Sequence, residues 1–404
     1  MARKPTRDLT VEQQLARGPM DLPFLMLVVM LVGIGLIVVF SASYAAAYYD
    51  EDISSPLFYI QRQAVFAGLG LAVMYAVSKV NYQRLRLLSV PMLLGTIVLL
   101  VLVLTPLGVE LNNAQRGLNL FFIAGPTYQP SELAKISIIV FFAARLSKRN
   151  TEKKRKFSTR TFAGRALNFM EKIGLMELLP YMGVLVLVLV LVVMEPHMSG
   201  TILIMVGAAA VLFAAGISLA WFLSVGSLAV GGLLLIIFTT DYMTKRVELW
   251  LNPWLDPQGK GFQTIQSLLS IGSGGLLGKG LGNSAQKFEF LPEPENDFVF
   301  SVAVEDLGIV GGALILILFM LLIMRGYWLA LHSRDKFGSL LIVGIMALLS
   351  VQVFFNIGVV TNLIPNTGIS LPFFSYGGTA LVIHLAEMGV VLSVSRQIPA
   401  PKKD

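Results

Sequence analysis

The residues best placed to do chemistry are the few charges that interrupt long apolar runs. These are Arg62 beside Gln63, Glu132 with Lys135, Glu305 with Asp306, and His384 with Glu387. Charged side chains at such positions are costly to hold and usually functional. Glu132 and Lys135 are three residues apart, so on a helix they share a face and can pair. That spacing reads either as an internal ion pair fixing helix packing or as a cation turned toward a ligand. His384 and Glu387 share a face in the same way and read as structural or interfacial. Asp297 is of another kind. It stands where a long polar segment meets the start of an apolar run, which is where an amphiphilic molecule would present its head group.

The elements that must position these groups follow from composition. The 404 residues are 55% apolar and 14% charged, with a mean hydropathy of +0.75, against about 25% charged residues in a soluble domain. A membrane-spanning helix needs roughly 20 apolar residues, and such runs recur along the whole chain, as in Leu22–Phe40, Leu87–Leu104 and Leu340–Val360. The pattern predicts an all-α integral membrane protein of ten transmembrane helices. Their expected limits are 21–43, 60–78, 86–106, 131–146, 180–194, 199–217, 220–240, 299–325, 338–362 and 379–395, within a membrane domain of 21–395. Residues 1–20 and 396–404 are expected as tails. A basic start, an apolar run and small residues near Ser41 imitate a signal peptide. The run from Leu22 to Phe40 exceeds the 7–15 residues of a signal core, which favours an uncleaved first span.

Charge placement gives orientation. The net charge is +7, but the positions of the cations argue against nucleic acid as a partner. Arg3, Lys4, Arg7 and Arg17, then Lys79, Arg84 and Arg86, then the stretch from Arg145 to Lys172, and finally Arg325, Arg334, Lys336 and Arg396 all fall on one side of a ten-span topology. The first loop of the other side carries Asp50, Glu51 and Asp52 without a basic residue. By the positive-inside rule both termini are cytoplasmic. With no cysteine, disulfides and thiolate chemistry are excluded. The three histidines, His197, His332 and His384, lie far apart and make no metal-ligand spacing, so no metal site is expected.

Two segments are longer than connectors. The basic stretch 148–178 reads as a solvated cytoplasmic loop that touches anionic head groups, or as a docking site for a cytoplasmic partner. The large extracytoplasmic loop between helices 7 and 8, 241–297, is of a length that is usually functional. It carries Arg246 and Lys287, and a glycine cluster from Gly272 to Gly282 that either lets backbone approach a ligand or permits a re-entrant fold. Ser131 reads as a helix cap after Pro130. The last outer segment, Pro365 to Gly378, is too irregular to be spanning. Non-helical backbone near the bilayer must be buried in protein or line a wet cavity, so it is expected to form a site wall.

Four stretches carry a resemblance: QPSELAK at 129–135, GFQTIQS at 261–267 with GGLLGKGLG at 274–282, Leu291-Pro292-Glu293 with Asp297-Phe298, and LPFFSYGG at 371–378. In this order, and with these spans between them, the chain resembles the SEDS family (shape, elongation, division and sporulation) over Asp21 to about Arg396. The resemblance implies a peptidoglycan glycosyltransferase that extends glycan strands from lipid II at the outer face of the cytoplasmic membrane. It implies a class B penicillin-binding protein transpeptidase and the membrane proteins of the divisome or elongasome as partners. Carried over by position, Asp297 is the expected catalytic base. Lys135, Glu132, Arg116, Arg246, Lys287, Glu293 and Ser375 are expected to line the outer cavity and bind substrate. A divalent cation, Mg or Mn, could share the charge of the pyrophosphate, although no ligand set in the sequence demands it.

Two motifs depart from the family. The usual Lys-Arg-Trp group reads Gln115-Arg116-Gly117, and the motif after the fifth span reads Glu195-Pro196-His197. The approach to the first span and the Pro365–Gly368 loop resemble the division and sporulation branch more than the elongation branch. Two other classes fit the same polar cavity less well: a lipid II flippase, for which it would be a passage, and a non-catalytic scaffold.

Overall fold

A computed structural model describes residues 18–49, 55–111, 114–119, 128–149, 168, 175–195, 198–224, 226–227, 231, 241–259, 261–282 and 295–398. In chain order the helices are α1 (Leu22–Tyr49), α2 (Phe58–Lys79), α3 (Gln83–Val103), α4 (Pro130–Leu146), α5 (Leu175–Met194), α6 (Met198–Ala214), α7 (Asp241–Leu251), α8 (Phe262–Gly274), α9 (Val299–His332), α10 (Lys336–Val360) and α11 (Gly378–Ser395). One antiparallel hairpin, β1 (Gly108–Leu111) with β2 (Ala114–Leu118), lies between α3 and α4.

Among the described residues six helices, α1, α2, α3, α9, α10 and α11, are long and apolar enough to cross a membrane, and α5 and α6 are shorter apolar helices. The chain is a multi-pass membrane protein. Helix α4 is the buried centre, packed between α3, α6 and α10 and covered on nearly every side. The seventh expected span, 220–240, lies mostly outside the described residues, as do most of 1–20, 148–178 and 396–404. The segment expected as one large loop contains two helices, α7 and α8.

One end of the bundle is sewn together by polar side chains. Asp21 caps α1 through the Phe24 amide and receives both arms of Arg325, at 3.0 and 2.5 Å. Asp335 caps α10 through the Gly338 amide and accepts from the Tyr82 hydroxyl at 2.5 Å and from Gln83 at 2.8 Å. Burial beside that carboxylate pushes the Tyr82 hydroxyl well up from its usual range, so it stays a donor. The basic residues Arg84, Arg86, Arg145, Arg149, Lys336 and Arg396 belong to this same end.

Helix α9 departs most from expectation. Its 34 residues would span about 51 Å at 1.5 Å per residue, well beyond the ~30 Å of a hydrocarbon core. It is broken at Gly308, which has φ +74 and ψ 178. A break frees the carbonyls of Glu305 and Asp306 and the amides of Ile309 and Val310, and hydrocarbon offers them nothing. The glycine-rich turn after α8 supplies all four partners. The Lys279 and Gly280 amides donate to Glu305 and Asp306 at 2.9 and 3.0 Å, while Ile309 and Val310 donate to Gly275 and Leu276 at 2.9 and 3.2 Å. Side chains complete the lock: Ser270, Ser273 and Lys279 donate to the fully buried Glu305, and Ser41 of α1 donates to Asp306. The glycine cluster therefore serves a re-entrant packing. Gly278 shows why: at φ +79, a Cβ there would overlap the Asp306 carbonyl oxygen.

Replacing Gly278 with alanine is expected to cost upwards of about 2 kcal/mol from backbone strain alone, visible as lost yield of monodisperse protein. Gly272→Ala, at a helical position with open space around it, is expected to leave yield unchanged. Equal behaviour of the two would refute the lock.

Candidate active site

The end of the bundle opposite the Asp21–Arg325 and Asp335–Tyr82 pairs is where the candidate residues collect. Asp297 lies two residues before α9 and is half-buried. Its backbone carbonyl accepts from Asn356 Nδ2 at 2.8 Å, and the same amide nitrogen donates to the Ile369 carbonyl at 2.9 Å. Asn356 stands twenty residues along α10 from Lys336, about 30 Å at 1.5 Å per residue. That is the thickness of a hydrocarbon core, so Asp297 lies a full core thickness from the Lys336 end of α10.

The segment 365–377 forms the wall beside it. Gly368, at φ +64, brings its backbone against the Asp297 carboxylate: a Cβ there would lie 3.4 Å from Oδ2. Ser375 accepts from the Leu371 amide at 2.7 Å and donates to the Asn296 carbonyl at 2.8 Å, while the Tyr376 amide donates to Glu295 at 2.8 Å. Gln63 of α2 completes the seam. It donates to the Ser375 carbonyl at 3.1 Å and accepts from the Gly377 amide at 3.3 Å. Ser375 thus ties backbone together at the wall where a substrate-binding role is expected of it. Asn356 went unread in the sequence because it sits inside the apolar run Leu340–Val360; a neutral amide within a span was the signal.

Glu132 and Lys135 form a second group. Helix α4 starts at Pro130, two residues earlier than a Ser131 cap implies, with Gln129 as its N-cap. Proline at the first position loses nothing, because its missing N–H would have no helical partner. Lys135 Nζ lies 2.6 Å from Glu132 Oε2, with the lysine side chain 2% exposed. The C-terminal end of α4 is tied by Ser147 to Arg86, near the start of α3, so Glu132 and Lys135 lie toward the Asp297 end. Lys135 is about 16 Å along α4 from Leu146, deeper than Asp297. Strand β2, which carries the half-buried Arg116, bridges to Tyr128. Burial, with Glu132 nearby, pushes the Tyr128 hydroxyl up to about 12. Tyr128, Glu132 and Lys135 therefore lie together, with the strand that carries Arg116 paired beside Tyr128. Glu293, Lys287 and the Arg246 side chain lie outside the described residues.

Against this geometry the comparisons are decisive. The FtsW/RodA/SpoVE model, described as a cell cycle protein, matches residues 22–399. The chain belongs to this family. It is 41% identical to stage V sporulation protein E of Bacillus subtilis, over 93% of this chain and 97% of that protein. It is 38% identical to the probable peptidoglycan glycosyltransferase FtsW of Geobacter metallireducens, over 94% and 95%. A solved chain from "Structural coordination of polymerization and crosslinking by a peptidoglycan synthase complex" superposes with a TM-score of 0.69 at 30% identity, covering 95% of this chain and 99% of that one. Thermus thermophilus rod shape determining protein RodA does so at 0.61 and 28%, over 95% and 98%.

Two outcomes test the polar groups. Removing one partner of a buried ion pair costs about 3–5 kcal/mol, because the other charge is left unpaired, whereas removing both is often mild. Lys135→Met should therefore lower the melting temperature sharply, and Glu132→Gln with Lys135→Met should recover it. If the lysine also meets substrate, the stable double variant stays inactive; recovered activity would make the pair purely structural.

Glu195, in the turn after α5, is fully buried, and neither carboxylate oxygen has a hydrogen-bond partner among the described residues. Burial pushes it from 4.5 up to about 8. Between those values the unfolded chain binds fewer protons than the folded one, so stability falls as pH rises across the window. The melting temperature should drop from pH 5 to pH 8, and Glu195→Gln should flatten that drop; parallel profiles would contradict it.

Proposed function

We propose that this chain is a glycosyltransferase that polymerises lipid II into peptidoglycan strands at the outer face of the cytoplasmic membrane, with Asp297 as general base. The observation that carries the reading is the half-buried Asp297 carboxylate held by Asn356 and Gly368 a full core thickness from the Lys336 end of α10, in a chain of the FtsW/RodA/SpoVE family. The basic residues gathered at the opposite end support cytoplasmic termini and an outward-facing Asp297.

Joining two lipid-linked sugars requires a hydroxyl of one to attack the anomeric carbon of the other while undecaprenyl pyrophosphate departs. A carboxylate beside the hydroxyl takes its proton, a contribution of roughly 10²–10⁴ in rate. The pyrophosphate gains charge as it leaves, and fixed cations in a cleft of low dielectric stabilise it. Arg246, Lys287, Arg116 and Lys135 are the cations assigned to this. Arginine is the better clamp, since its fork matches phosphate oxygens. Glu132 orients Lys135, and Glu293 and Ser375 are assigned to substrate binding. No resident cofactor is invoked; a divalent cation would arrive on the pyrophosphate. The product strand needs cross-linking, so a class B penicillin-binding protein is the assigned partner, within a division or sporulation complex.

Asp297→Asn keeps the shape and removes the base. In detergent, where no membrane sides exist, the parent chain should polymerise lipid II and the variant should lose at least ~10²-fold in rate at unchanged melting temperature. Normal polymer from a folded variant removes Asp297 from the mechanism. Translocation in vesicles without polymer in detergent would transfer the case to a flippase.

A further inference from the structure

We infer that Asn356 is a positioning residue for the reaction: its side-chain amide sets the aim of the Asp297 carboxylate, which it never touches. The inference rests on the reading of Asp297 as the base.

Asn356 is fully buried near the outer end of α10. An asparagine amide nitrogen has two hydrogens, and both are used on backbone from two different segments. One goes to the carbonyl of Asp297 itself at 2.8 Å, the other to the carbonyl of Ile369 at 2.9 Å. Ile369 directly follows Gly368, the residue whose backbone lies against Asp297 Oδ2. A single planar group therefore fixes both the main chain that carries the carboxylate and the wall the carboxylate rests on. The two main-chain segments are thereby held within the span of one NH₂ group, which fixes the base of the Asp297 side chain relative to the wall beside it.

The acceptor half of Asn356 tells the same story. Its Oδ1 is buried without a hydrogen-bond partner among the described residues. Buried polar atoms are nearly always paired, so the residue is retained here for its donors. Leucine would remove the unpaired Oδ1 but would also take the donor from the Asp297 and Ile369 carbonyls, so both ties are lost. The neighbouring ties, Ser375 to Asn296 and Tyr376 to Glu295, hold the strand before Asp297 to the loop. Asn356 adds a tie on Asp297 itself.

A misplacement of about 1 Å at a reacting group can cost 10²-fold in rate. The test is steady-state polymerisation of fluorescent lipid II by the solubilised full chain, with its copurifying transpeptidase where present, for Asn356→Leu, Asn356→Asp and Asn356→Gln. The inference expects Asn356→Leu and Asn356→Asp to lose about 10²-fold in kcat with KM within about threefold, measured on the folded fraction, since the loss of two buried hydrogen bonds also lowers the melting temperature. Asn356→Gln, which keeps the donors, should regain part of the rate. In an Asp297→Asn background the Leu substitution should have no further effect, since the two act as one unit.

Parental kcat in Asn356→Leu, or a full additional loss on top of Asp297→Asn, overturns the inference. Where Asn356→Leu fails to fold, the same judgement falls on Asn356→Asp, which keeps volume and shape. Should Asp297→Asn itself polymerise normally, the base reading has failed. Should it be inactive while the Asn356 variants run at full rate, only the positioning role has.

Discussion

Hydrocarbon offers no hydrogen bonds, so each backbone amide and carbonyl at membrane depth must find its partner within the protein. This constraint shapes the two irregular places in the bundle. At Gly308 the helix α9 opens, and the turn from Gly275 to Gly280 replaces each of the lost bonds with one of its own. At the Asp297 end of the bundle the chain leaves helical form at 295–298 and again at 361–377. There the two irregular stretches satisfy each other, with Asn356, Gln63 and Ser375 filling the gaps. The first place is sealed and rigid, while the second leaves one carboxylate half-buried at its edge.

The division of labour between the ends of the bundle follows. At the end assigned to the cytoplasm, carboxylates are spent on capping and on holding helices: Asp21 with Arg325, Asp335 with Tyr82 and Gln83. Glu305 and Asp306, which sequence alone offers as candidates for chemistry, are consumed by the lock around Gly308. His384 and Glu387 pair with each other at 3.2 Å inside α11. That leaves Asp297 as the acidic candidate set against a wall of backbone, with Lys135 and Arg116 gathered around α4 at the same end. A general base needs a fixed position and access to an outside hydroxyl, and the departing charge needs cations nearby; these are the roles proposed for Asp297, Lys135 and Arg116.

Much of this was legible in the residues because apolar length and charge sidedness are local signals. The helices α1, α2, α3, α10 and α11 fall where their apolar runs predict, and Asp297 could be singled out from its place at a polar–apolar boundary. What escaped reading were pairings between segments distant in sequence. A single Gly308 in an apolar run does not announce a break, because its meaning lies in Gly278, thirty residues earlier. Ser375 could be placed at the site but not assigned to backbone, since its partner Asn296 is known only from the fold. Asn356 was hidden by the hydrophobicity of its neighbours, as a neutral amide barely lowers the average of a span.

The central claim is that Asp297 stands at the outer, water-accessible mouth of the bundle. Because the chain has no cysteine, a thiol placed there reports without background. A membrane-impermeant maleimide added to intact spheroplasts should label Asp297→Cys as fully as it does after lysis, whereas Lys148→Cys, just beyond the opposite end of α4, should react only after lysis. Labelling of Asp297→Cys confined to lysed cells, or absent altogether from the folded protein, would contradict the account.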